Sequence, residues 1–304
     1  MSALLAPLVS PLLAGWMAAA SCTGCTAYLA GDAWQGYETT ALSLGKMRLE
    51  RAPEGLPVSR RGLAENFRRI AFGIEHDVLD PADPAVSDGG TLRRWQRPVR
   101  VNVTSLGDDA DVHRDMVSEV ANRIAVATRH PIQAATAQHP ANLAVLFLRP
   151  EDYGPAGDAL RKRAGGGWLA RQVEAFGRAQ HTPCVGIFLH AETQEAGRPD
   201  EIIFALALIR AGLPPRLGRA CIEEEMAQAM GLPNDDPYVR PSVFNDDQEF
   251  ALLTGHDEAL LRILYDARLS PGMSESEAME IVPEIIGEMD IRVISGRARI
   301  NRTP

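Results

Sequence analysis

Apolar side chains recur at helical spacing in residues 59–76, where Leu63, Phe67, Ile70 and Ile74 share one side, and this spacing predicts a helix. The pattern then changes period. Val99-Arg-Val-Asn-Val103 alternates as a half-buried strand does. From Asp111 a second helical stripe runs through Met116, Val117, Val120, Ile124 and Ala127 and stops at Pro131. Ile132 to Ala135 and Leu143 to Leu148 are short apolar strand candidates. Leu160, Trp168, Leu169, Val173 and Phe176 predict one helix from Gly157 to about Gln180. Cys184 to His190 and Ile202 to Ile209 follow as strands, and the polar loop between them, Glu192 to Glu201, predicts a hairpin. A helix containing Cys221 to Gly231 comes next, and Ala278, Ile281, Ile285 and Met289 predict a last one in the tail. Strand, helix, two strands, helix, hairpin and helix, in that order, imply an α+β fold with a mixed sheet.

The first 31 residues carry no charged side chain, and Ala3 to Ala20 is almost wholly apolar, as in an export signal or a membrane anchor. Pro7, Pro11 and Gly15 weaken a helix and favour a short signal over a rigid span. The stretch ends in Ala19-Ala-Ser-Cys22-Thr-Gly-Cys25, whose small residues before a cysteine resemble a bacterial lipobox, although the preferred upstream Leu is missing. Cys22 and Cys25 are therefore the lipidation candidates. The expected organisation is a signal or anchor at 1–25, a polar tether at 26–57, an α+β domain at 58–275, and a C-terminal helix with a basic tail at 276–304. The expected location is outside the cytoplasm: exported, periplasmic, with the membrane reached through the N-terminal segment. An oxidising compartment favours a disulfide between the two remaining cysteines, Cys184 and Cys221, the alternative being two buried thiols.

Composition narrows the partners. The chain has 304 residues, 45% of them hydrophobic, and a formal net charge of -9. Its longest basic run is Arg161-Lys-Arg163, so nothing matches the extended basic stripe that neutralises phosphates, and nucleic acid is not an expected partner. Neither a Gly-x-Gly-x-x-Gly nor a Walker loop is present, so nucleotide cofactors have no support.

The densest chemistry lies in Cys221-Ile-Glu-Glu-Glu-Met-Ala-Gln-Ala-Met-Gly-Leu-Pro-Asn-Asp235. At helical spacing Ile222, Met226, Ala229 and Met230 form a core stripe, while Glu224, Gln228 and Gly231 fall together on the other side. Gly231 permits a positive φ or a close approach, and Pro233 confirms the stop. This helix resembles the active-site helix of the metzincin zinc peptidases, which carries His-Glu-x-x-His-x-x-Gly-x-x-His. Aligned on Gly231, Glu224, Gln228 and Asn234 occupy the positions of the zinc histidines, with Asp235 beside the third, and Glu225 occupies that of the catalytic glutamate. Ser242-Val-Phe-Asn-Asp246 resembles the methionine turn with Phe244 in place of Met, and Leu253-Thr-Gly-His-Asp257 resembles the start of the closing helix. A closer resemblance, carried by Asn66-Phe67, Cys221 to Asp235, Ser242 to Asp246, Leu253-Thr254 and Leu264 to Met273, is to a bacterial family catalogued as domain of unknown function number 2927. The two resemblances imply a zincin-like α+β fold with a long cleft helix, and no mechanism.

No two of the seven histidines are four residues apart, which excludes a His-x-x-x-His zinc helix. Glu224, Gln228 and Asn234 offer oxygen ligands, better suited to Ca²⁺, Mg²⁺ or Mn²⁺ than to Zn²⁺, so no cofactor is expected beyond an oxygen-ligated divalent cation. Three roles fit these residues. In a purely structural one, Glu223 to Glu225 sit in the first turns of the helix, where carboxylates suit its dipole, and Asn234 caps its end. In the second, the degenerate cleft, lined by Gln228, Asn234, Asp235 and Ser242, binds a peptide or a cell-envelope component without catalysis. In the third, the chain is a divergent hydrolase of peptide or peptidoglycan using Glu224 or Glu225 as acid or base.

Overall fold

The computed structural model describes residues 26–56, 58–73, 90–105, 109–162, 166–191, 200–245 and 248–290. The expected signal or anchor with Cys22 and Cys25, Ile74, most of the hairpin loop, Asp246 and the basic tail lie outside the described residues. Eight α-helices and one sheet of five strands are described: α1 Thr26–Ser43, α2 Arg60–Phe72, β1 Val99–Thr104, α3 Ala110–Thr128, β2 Ile132–Ala134, β3 Leu143–Leu148, α4 Tyr153–Arg161, α5 Gly166–Arg178, β4 Cys184–His190, β5 Ile202–Arg210, α6 Pro215–Gln228, α7 Gly255–Leu264 and α8 Glu275–Glu288.

The sheet order is β2-β1-β3-β5-β4. α3 crosses over between β1 and β2, and β1 pairs parallel with both β2 and β3; α4 and α5 lead from β3 to the antiparallel β4, whose turn back makes β5 parallel to β3. The expected hairpin is present: β4 pairs antiparallel with β5, Ile187 opposite Leu206, and forms the sheet edge. The result is a mixed sheet with helices packed on it. α6 packs on β4 and β5, and α3 on α6 and α7. The central strand β5 has Ala205 to Ile209 fully buried because both of its faces are covered. On one face lie α6, α3, α2, α7 and α8, with Phe67, Trp95, Ile124, Met226 and Leu260 in the main core. On the other lie α4 and α5, with Leu160, Leu169, Val173 and Phe176 against Leu206 and Leu208.

Three expectations are corrected. The single helix over 157–180 is two, α4 and α5, divided at the glycine run. A Cβ on Gly166 would meet the Leu160 carbonyl oxygen at 1.8 Å, so the break brings backbone closer than a side chain permits. Residues 26–57 are not simply a tether. α1 docks on α6, whose N-cap is Pro214 with no capping side chain, and the buried Glu38 of α1 accepts the Leu217 N–H at 2.7 Å. Met47, fully buried beyond α1, donates its N–H to the Gln248 carbonyl, and Arg48 bridges Phe250. Nor is the last helix an appendage, since Ala278, Val282, Ile285 and Ile286 of α8 lie in the main core against α2. Ser274 caps it in a capping box with Glu277.

Candidate functional site

α6 begins at Pro215, six residues before Cys221, so Glu223, Glu224 and Glu225 lie in its third turn and not in its first. The helix dipole therefore does not account for them, and each meets a different environment. Glu223 is fully buried and ionically bound. Its Oε1 receives Arg51 Nη2 at 2.6 Å and Arg219 Nε at 2.9 Å, and its Oε2 receives Arg51 Nη1 at 3.0 Å and the Leu253 N–H at 3.1 Å. Two guanidinium groups and an amide satisfy one carboxylate, which ties the N-terminal arm, α6 and the loop before α7 together. This is a structural hub.

Glu225 and Gln228 turn the other way, onto the edge strand. Both are nearly buried, at 4% and 5% exposure. A Cβ on Gly186 of β4 would lie 2.8 Å from Glu225 Oε2 and 3.1 Å from Gln228 Oε1, so the missing side chain at 186 makes room for this pair. Glu224, half-buried, joins them: a carboxylate oxygen from each of Glu224 and Glu225 and the Sγ of Cys184 lie within 4.8 Å of one another. Tyr37 of α1 stands close to Glu224; burial first, and that carboxylate second, push the phenol's pKa up. The Tyr37 hydroxyl donates to Gln248 Oε1 at 2.7 Å.

The disulfide between Cys184 and Cys221 is formed, with a Cα–Cα separation of 5.8 Å. It fastens the edge strand to α6 beside this cluster. A sulfur in a disulfide is not a thiolate and is a poor metal ligand. What remains beside it is an all-oxygen set from Glu224, Glu225 and Gln228, extended by Asp235, whose Oδ1 accepts from Gln228 Nε2 at 3.2 Å.

Asn234 is not in this set. Its Nδ2 donates to the Arg69 carbonyl at 3.0 Å and so caps the end of α2, where a Cβ on Gly73 would sit 2.2 Å from it. The structure thus brings together Glu224, Glu225, Gln228 and Asp235, separates Asn234 from them, and makes Asn234 the cap of a different helix from the one expected. Gly231 meets both expectations at once: its φ is +107°, and a Cβ there would meet the Arg93 carbonyl at 2.0 Å.

Ser242 is buried in a second network. Its hydroxyl donates to Asp257 Oδ1 at 2.5 Å and accepts the Phe244 N–H at 3.0 Å. Asp257 also accepts the Val243 and Thr254 N–H groups and closes the capping box of α7. His256 Nδ1 lies 3.4 Å from the same carboxylate, and its Nε2 lies 3.0 Å from Asn66 Nδ2. Serine, histidine and aspartate are all present, but the aspartate stands between the other two and all three are buried, so no nucleophile is activated. The network fixes the turn carrying Phe244, which fills the core beneath α6.

Sequence reasoning missed Gly186, Tyr37 and the Arg51–Glu223 pair. A glycine inside the apolar run Cys-Val-Gly-Ile-Phe-Leu was the available signal for the first, because glycine in a strand marks a close approach. No local signal marks the other two, whose partners lie 172 and 211 residues away.

Over residues 60–284 the chain matches the family described as "Protein of unknown function (DUF2927)". No curated protein and no solved structure shows a match. The match spans the sheet, α6, the Ser242 network and most of α8, and the chain belongs to this family.

Proposed function

We propose that the protein is an exported, membrane-tethered accessory protein of the cell envelope with a zincin-like fold, whose cleft holds an extended, cationic peptide or envelope fragment without hydrolysing it. The observation that carries this reading is the set of Glu224, Glu225, Gln228 and Asp235 beside the antiparallel edge strand β4, packed against it at Gly186. An edge strand is a template on which an extended segment adds as a further strand, with affinity from main-chain bonds and specificity from neighbouring side chains. Here those neighbours are carboxylates, which favour a lysine or a free amine in the bound segment. The helix stripe, the glycine at its end and the following turn support the zincin-like frame. The uncharged N-terminal stretch supports export.

The set has no imidazole, so a hydrolytic zinc is not part of the reading. A hard divalent cation on the carboxylates is the second reading, favoured by their mutual approach within 4.8 Å. The test is a binding screen of full-length protein against basic peptides and peptidoglycan fragments, with and without chelator, followed over time for cleavage. Retention of a basic ligand, weakened in Glu224→Gln and Glu225→Gln and indifferent to chelator, is the expected result. Retention that collapses on chelation would favour the cation. Cleavage lost in either variant would replace the accessory role with a hydrolase.

A further inference from the structure

Large hydrophobic side chains left exposed in the described residues number seven: Tyr37, Leu42, Leu44, Leu49, Val112, Val126 and Tyr238. Four of them fall within residues 37–49, in the arm formed by α1 and the hook after it, and Leu44 is 67% exposed. Scattered single apolar residues need no explanation, but a concentration of this kind marks a surface with a partner.

Two of the arm's charges are engaged within the protein. Glu38, one of only two charged residues in α1, is turned inward onto α6. Glu50 is met by Arg48 at 3.4 Å. The arm is held rigidly by Glu38, Met47 and the Arg51–Glu223 pair. Immediately before it in sequence come the uncharged residues 1–31, apolar from Ala3 to Ala20.

We infer that Leu42, Leu44 and Leu49 of this arm form a lipid-contacting surface that sets the domain's orientation on the membrane. The inference rests on the membrane-tethered reading above and adds the face by which the domain lies down. Leucines at a headgroup boundary bury their apolar area there.

The test is hydroxyl-radical footprinting of the full chain on vesicles of phosphatidylethanolamine and phosphatidylglycerol, each residue's labelling referred to the urea-unfolded chain. Co-sedimentation with the vesicles is measured first, and failure to pellet overturns both the tether and the contact surface. In the pelleted protein, Leu42, Leu44 and Leu49 are expected to be labelled severalfold more slowly than Tyr238 and Val126 are, relative to their own unfolded references. The double variant L44D/L49D is expected to keep its melting temperature and still pellet, yet to lose the protection at Leu42. Equal labelling at Leu44 and Tyr238 in pelleted protein would overturn the contact surface while leaving the tether standing. So would protection of Leu44 that persists without lipid, since the chain's own residues would then cover it.

Discussion

Three consecutive glutamates in one helix turn do three different things, and their variants are expected to separate accordingly. Glu223→Gln removes a fully buried carboxylate that pairs with the partly buried Arg51 and Arg219, of which Arg219 keeps Glu119, and should cost about 3 kcal/mol in a urea unfolding experiment. Glu224→Gln, at a half-buried position outside that hub, is expected to change stability by less than about 1 kcal/mol. Two glycines separate in the same way. Gly231→Ala is expected to cost at least about 2 kcal/mol, because both its φ of +107° and the Arg93 carbonyl at 2.0 Å oppose a side chain. Gly186→Ala presses mainly on the side-chain ends of Glu225 and Gln228, with the Glu225 carbonyl oxygen at an ordinary 3.4 Å, so the fold should survive with a loss near 1 kcal/mol while ligand retention falls. The polar face of α6 was legible in the sequence because helical spacing alone assigns faces. The division of labour among Glu223, Glu224 and Glu225 was not, because it depends on Arg51, which reaches Glu223 only in the fold. Asn234 was misassigned for the same reason: a cap to its own helix is local, while a cap to α2 is set by packing.

Among the elements, β4 and α6 make the site, and one covalent bond holds them in register. Closing a loop over a sequence separation of 37 residues removes chain entropy worth about 3–4 kcal/mol, so reduction of Cys184–Cys221 is expected to lower unfolding free energy by that amount. A loss under about 1 kcal/mol would mean that the strand and helix hold their register without it. The order of strands and helices was readable from periodicity, since each amphipathic run has one buried face. The break between α4 and α5 was missed although it was signalled twice, by the glycine run and by phase: at helical spacing Leu160 falls opposite Leu169, Val173 and Phe176, so one continuous helix could not bury all four. The docking of α1 escaped notice because its inner face is anchored by a buried glutamate and small residues, which leave almost no hydrophobic periodicity.

At the scale of the whole molecule, acid sensitivity and cleft chemistry are separable. Burial holds the pKa values of His113, stacked on Phe147 at 3.8 Å, and of His130 below the ordinary histidine value of 6.5. The unfolded chain therefore takes up these protons first. Stability from the two groups is complete above pH 6.5 and is lost as pH falls through it. The melting temperature is expected to drop between about pH 7.5 and pH 5.5, and His113→Phe, which keeps the stacking, should reduce that drop. The N-terminal arm, the family core and α8 form one folded unit, in which the family match covers the carboxylate cluster and the arm outside it supplies Tyr37 and Arg51. The central claim is that this cleft binds a cationic segment through carboxylates and performs no hydrolysis. Its most direct test is calorimetric titration of the full chain with a lysine-rich peptide in chelator, with the peptide recovered afterwards by mass spectrometry. The account predicts binding that weakens roughly tenfold in the Glu224→Gln/Glu225→Gln double variant, with all peptide recovered intact. Cleaved peptide from the wild type, or unchanged affinity in the double variant, would contradict it.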